Sequence, residues 1–224
     1  MRTPFLFAAA LALAVCAGCA KRDSPAAAGS APMAAASGVT RADAGKGPRD
    51  HRMIPLHPMV GDVEILYGDP ESPGEPFVMR IRELPGAIVP PHSHLVDENI
   101  TVVQGTWYFA VGSEFDRTAL QKLEAGSYAF APKGSTMYGF CPDGAIVQVH
   151  GVGPFRIQWK GGLRTLNDAD SRTTFRFAQG DHVSSPRGEG KIVEGYGSGR
   201  IVQYVIEGDG GGRFMASEED LRRP

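Results

Sequence analysis

Between residues 51 and 166 the chain repeats short apolar or alternating runs separated by Gly and Pro. They fall at 63–67, 77–81, 100–103, 106–111, 128–131, 145–149 and 155–159. Runs of this length at this spacing predict the strands of a β-sandwich or barrel. No helical period of useful length competes with them. Residues 167–175 form a polar break. Short runs then resume at 180–183, 188–193, 200–206 and 213–216. Their density over 176–224 predicts a small SH3-like barrel. A short helix or turn is expected at 217–221, with Ser217 as its cap and Asp220 reaching back. The expected fold is therefore all-β: a main body over 51–166, a linker over 167–175 and a small barrel over 176–224.

The first fifty residues carry neither period. Met1-Arg2 supplies one positive charge, residues 3–20 are uncharged and rich in Ala, Leu and Phe, and Lys21-Arg22-Asp23 ends the run. So short and Ala-rich a stretch reads as a secretory signal over 1–20 rather than a membrane span. Cys19 follows the small pair Ala17-Gly18, whereas Cys16 follows the bulky Val15. The segment resembles bacterial lipoprotein signals, which implies lipid attachment at Cys19 and a periplasmic or cell-envelope location. Ordinary secretion after Ala20 is the alternative. Residues 21–50 contain nine Ala, four Gly, three Ser and three Pro. That composition suits a disordered tether. With Cys19 lipidated, Cys141 is the one thiol left in the mature chain, so core packing and not a disulfide must stabilise it.

Charge narrows the partners. Lys+Arg number 23 and Asp+Glu 25, a net of −2, which removes the electrostatic reason to expect nonspecific nucleic-acid binding. Residues 176–224 hold seven Lys/Arg and eight Asp/Glu, so the small barrel has no basic excess with which to read nucleic acid. A content of 29 Gly and 17 Pro suits many tight turns.

The chemistry concentrates in Gly86-Ala-Ile-Val-Pro-Pro-His92-Ser-His94-Leu-Val-Asp-Glu98-Asn-Ile-Thr-Val-Val-Gln-Gly105. Residues two apart on a strand share a face, so His92 and His94 project together. Glu98 cannot join them on a straight strand, because four residues span roughly 13 Å. It must return on the next strand after a turn near Leu95-Val96-Asp97, with Asp97 a turn residue. Two imidazoles and one carboxylate with open positions form a ligand set associated with oxygen-activating iron.

This stretch is similar to the first motif of the cupins: glycine, five residues, His-x-His, three residues, Glu, six residues, glycine. A second cupin motif resembles Gly126 through Cys141, with Gly126, Pro132 and Gly134 in place. Met137 stands where the family usually has its third metal histidine, and Cys141 where it has Asn. The resemblance covers about 54–166. It implies a cupin β-barrel, or jelly roll, binding one divalent ion (Fe, Mn or Zn) through His92, His94 and Glu98, and it often goes with homodimers. Methionine is a soft, neutral thioether and a poor ligand for these ions. Three outcomes stay open: three ligands suffice; His150 substitutes as fourth ligand or acts as a general base; or metal binding is weak or lost. The implied function is a metal-dependent oxygenase or isomerase acting on a small molecule. The alternative is a non-enzymatic ligand-binding or sensor lipoprotein whose C-terminal barrel contacts a protein partner. His51, His57 and His182 have no partners at useful spacing and read as surface or strand-end residues. Cys141 reads as an inert core residue, and Trp107, Tyr108, Phe109, Tyr128, Phe130 and Tyr138 as core and pocket lining.

Overall fold

Alternation between apolar and polar positions becomes fifteen strands in a computed structural model that describes residues 53–54, 61–166 and 174–224. The signal over 1–20 with Cys19, the tether over 21–50, His51, His57 and the linker residues 167–173 lie outside the described residues. The first ten strands are β1 (Met53–Ile54), β2 (Asp62–Tyr67), β3 (Pro76–Glu83), β4 (Ala87–His94), β5 (Glu98–Val111), β6 (Gln121–Glu124), β7 (Tyr128–Ala131), β8 (Met137–Cys141), β9 (Ala145–Val152) and β10 (Ile157–Trp159). They form one antiparallel sheet in the order β1-β2-β3-β9-β5-β8-β4-β10, with β6 and β7 also on β5. The fold is all-β, with this sheet curling on itself as a barrel.

The two runs at 100–103 and 106–111 are one strand, β5. Its first half pairs with β7 and β9, its second with β6 and β8. The strand turns the barrel's corner through a bulge between Val102 and Gln104 and at Gly105, where φ is 78°. A Cβ at Gly105 would lie 2.4 Å from the Gly144 carbonyl oxygen. Only glycine combines that dihedral with that approach. The inward positions of β2, β3, β5 and β9 then meet: Val63, Met79, Ile81, Ile100, Val102, Val147 and Val149 are buried together. Each such side chain contributes roughly 1.5–3 kcal/mol on burial.

The remaining strands are β11 (Arg164–Thr165), β12 (His182–Ser185), β13 (Gly188–Ser198), β14 (Ile201–Gly208) and β15 (Arg213–Ser217). They form a second sheet, β11-β13-β14-β15 with β12 on β13. β11 lies inside the span expected for the main body, yet it pairs with β13. β14 is buried on both faces. Val205 and its partner Met215 belong to the barrel's apolar cluster, while Tyr204 and Ile206 belong to a second cluster with Phe177, Val183, Ile192 and Leu221. The sheet is thus part of the same compact unit as the barrel. Gln203 joins them: it is fully buried, its Oε1 accepts from the Ile88 N–H at 2.9 Å and its Nε2 donates to the Ile88 carbonyl at 2.7 Å. The side-chain amide supplies the pairing that a neighbouring strand would otherwise give. The expected terminal turn is a 3-10 turn at Glu218–Asp220, but the Ser217 side chain makes no capping bond. Glu218 instead accepts from the Arg176 N–H and the Tyr204 hydroxyl.

Candidate metal centre

Strict alternation along β4 sets Ala87 and Val89 in phase with Pro91 and Ser93, which would turn both histidines outward. The register shows otherwise. Ala87 faces Cys141 and Val89 faces Gly139, but His92 faces Met137, so β4 carries one extra residue between Val89 and His92. This bulge holds Pro90-Pro91, residues that cannot donate to a ladder and are tolerated where pairing is interrupted. It reverses the phase and carries His92 and His94 to the face shared by Met137. Glu98 opens β5, in phase with buried Ile100 and Val102, and faces the same interior. His92, His94 and Glu98 are 7%, 3% and 5% exposed.

The Nδ1–H of His92 donates to the Pro90 carbonyl at 2.7 Å, which leaves the unprotonated Nε2, with its lone pair, as the ligating nitrogen. The His92 and His94 rings meet edge-on with centroids 4.9 Å apart. Nε2 of His94 lies 3.4 Å from Oε2 of Glu98. Both ring nitrogens of His94 and this carboxyl oxygen are buried without a hydrogen bond. Aromatic rings cover the pair: Phe155 stacks on His94 at 4.1 Å and Trp159 tilts against His92 at 5.1 Å. The three donors are adjacent but not closed to the spacing of a filled site. Among the described residues, the set of three donor atoms mutually within 4.8 Å is His182, Glu189 and Asp209.

Burial sets the electrostatics. It lowers His92 to about 4, against a smaller opposing effect of the Pro90 carbonyl. It lowers His94 to about 3, helped by the neighbouring His92 charge, while the Arg156 backbone works the other way without reaching hydrogen-bond geometry. Burial raises Glu98 to about 8, with Glu83 adding like-charge repulsion. Near neutral pH and without a cation the imidazoles are neutral and Glu98 holds a proton, so the 3.4 Å contact is not an ion pair.

Met137 is 3% exposed and packs in the apolar core directly across from His92. A thioether thus stands across from the imidazole of His92, at the position where the sequence resemblance implies a further histidine ligand. His150 does not join the imidazoles. It pairs with Val78 and Asn99, sharing the outer face with Gln148, while Val147 and Val149 point inward. This phase sets His150 on the opposite face of β9 from the interior where the expected fourth ligand or general base would stand. Glu83 is the buried acid that sequence reasoning missed. It is 4% exposed, accepts from the Trp107 indole N–H at 3.2 Å and is raised by burial to about 8. The signal was its phase with Phe77, Met79 and Ile81. Cys141 is fully buried, and its thiol is pushed up to about 12 by burial and by Glu83. It is inert at neutral pH.

No family model matches the chain, and no curated protein matches it. Solved structures do. An RmlC-like cupin from Shewanella frigidimarina is 22% identical, with 41% of this chain and 74% of the other covered at a TM-score of 0.35. KdgF from a Halomonas species is 20% identical, with 41% and 78% covered at 0.33. The polyketide cyclase RemF from Streptomyces resistomycificus is 18% identical, with 43% and 68% covered at 0.37.

Proposed function

We propose that the barrel binds one divalent ion, iron, manganese or zinc, through His92, His94 and Glu98, and presents it to a small molecule. The observation that carries this reading is the orphaned contact between Nε2 of His94 and Oε2 of Glu98. Buried polar atoms are rarely left without partners, and a cation would satisfy both. The donor types suit these ions. Filling the site requires His92 to close on the other two.

The chain's own residues would then do the following. The Pro90 carbonyl holds His92 in the tautomer that offers Nε2, the orienting contact common behind metal-bound imidazoles. Glu98 gives up its proton when an ion enters. Phe155 and Trp159 exclude water from the imidazoles. The bound ion would supply Lewis-acid polarisation of a substrate oxygen.

The second reading is a non-enzymatic ligand-binding or sensor protein. His150 on the outer face favours it, because the general base expected beside the metal is not there. In either case the chain is proposed as an exported protein held to a membrane by lipid on Cys19, with the C-terminal sheet stabilising the barrel through a shared core. Metal analysis of protein purified without added metal tests the proposal. Stoichiometric iron, manganese or zinc that disappears in Glu98→Gln is the expected result. A folded protein whose metal content is unaffected by Glu98→Gln would overturn it.

A further inference from the structure

We propose that the C-terminal sheet carries a second divalent-cation site, built by His182, Glu189 and Asp209 and selective for borderline ions such as Zn²⁺. These three residues read from the sequence as unrelated. The structure brings one donor atom from each to within 4.8 Å of the others. Nε2 of His182 lies 2.8 Å from Oδ2 and 3.1 Å from Oδ1 of Asp209.

The three come from separate segments held by backbone bonds, so their convergence does not depend on the side chains alone. His182 opens β12 and Glu189 is the second residue of β13; the hairpin pairs His182 with Lys191 and Ser184 with Glu189. Asp209 follows β14 directly, and its N–H donates to the Glu189 carbonyl at 3.0 Å. Gly190 makes the approach feasible: a Cβ there would lie 2.3 Å from the Glu207 carbonyl oxygen and 2.8 Å from the Gly208 Cα. The strand carrying Glu189 therefore lies close against the segment that delivers Asp209.

The donor chemistry selects the ion. An imidazole nitrogen suits Zn²⁺, Ni²⁺ or Cu²⁺, whereas Ca²⁺ and Mg²⁺ take oxygen ligands. Two carboxylates supply the charge that attracts the cation. Lys191, opposite His182, offsets one of them, which argues for modest affinity. All three residues are exposed, so the donors lose little hydration on binding and waters can complete the coordination. Without a cation, the His182–Asp209 contact holds two of the donors together. The site shares no residue with the barrel site and stands or falls independently of it.

Zinc chloride titrated calorimetrically into the full chain, alongside His182→Ala and Asp209→Ala, tests the proposal. Each variant is expected to bind one equivalent less than the native chain while melting within a few degrees of it. His94→Ala is expected to keep this equivalent, whatever happens in the barrel. Equal zinc stoichiometry and affinity in the native, His182→Ala and Asp209→Ala chains would overturn the second site, and zinc lost in His94→Ala alone would do so while upholding the barrel.

Discussion

Nε2 of His94 sits 3.4 Å from Oε2 of Glu98, and neither atom hydrogen-bonds elsewhere among the described residues. An arrangement of this kind costs free energy on folding, because each buried polar atom leaves water without replacement. The Pro90-Pro91 bulge is what creates it, by turning the imidazoles into an apolar interior.

The pH dependence of metal-free stability follows from four buried groups. Glu83 and Glu98 are raised from 4.5 to about 8. The folded chain keeps protons that the unfolded chain releases, so these two lose stability as pH rises from about 4.5 to 8. His92 and His94 are lowered from 6.5 to about 4 and 3. The unfolded chain takes up protons that the folded chain refuses, so stability falls as pH drops below 6.5. Each proton counts for about 1.4 kcal/mol per pH unit. The opposing slopes cancel between roughly 4.5 and 6.5. Denaturant midpoints measured with chelator present should peak there and fall towards pH 8; Glu83→Gln should make that alkaline fall shallower and, by leaving one acid against two histidines, tilt the plateau upward towards pH 6.5. A midpoint that climbs steadily from pH 6 to 8 would contradict these assignments.

Met137→His places an imidazole directly across from His92. It is expected to tighten divalent-ion binding by at least about tenfold, since a nitrogen donor replaces a poor ligand. Met137→Ala instead opens a cavity and should cost roughly 2–5 kcal/mol of stability. Competition with a chromophoric chelator measures the first and urea unfolding the second. Unchanged affinity in Met137→His would show that this position does not reach the ion.

Gln203→Ala strips Ile88 of partners for both its N–H and its carbonyl. Each unsatisfied buried group costs about 1–3 kcal/mol, so a loss of a few kcal/mol is expected. Because Val205 and Met215 pack with the barrel's core, unfolding should stay a single transition at a lower midpoint. Two resolved transitions in the native chain would mean that barrel and C-terminal sheet fold separately.

The parts of the fold that alternation controls were legible in the sequence. β2, β3, β7 and β9 lie where their runs predict them, and the turn that returns Glu98 to the histidines is the expected one. β6, at Gln121–Glu124, is a mostly exposed strand with no apolar stripe to announce it. Which way the histidines face depends on one inserted residue, and no alternation pattern reveals an insertion of that kind. His150 was readable: Val147 and Val149 claim the inward phase, which leaves Ile146, Gln148 and His150 the outer one. Glu83 was readable in the same way. The shared core beneath β14 was not, because both faces of β14 are apolar and the sequence does not say what each one meets. The cluster at His182, Glu189 and Asp209 depends on the register of three segments and lay equally out of reach.

Anomalous scattering from crystals soaked separately in iron(II), manganese(II) and zinc(II) tests the central claim most directly. A peak inside the barrel, bounded by Nε2 of His92, a ring nitrogen of His94 and the Glu98 carboxylate, is the predicted result for at least one of the three ions. Soaked crystals of intact protein with no peak there, whether scattering is confined to the C-terminal sheet or absent altogether, would contradict it.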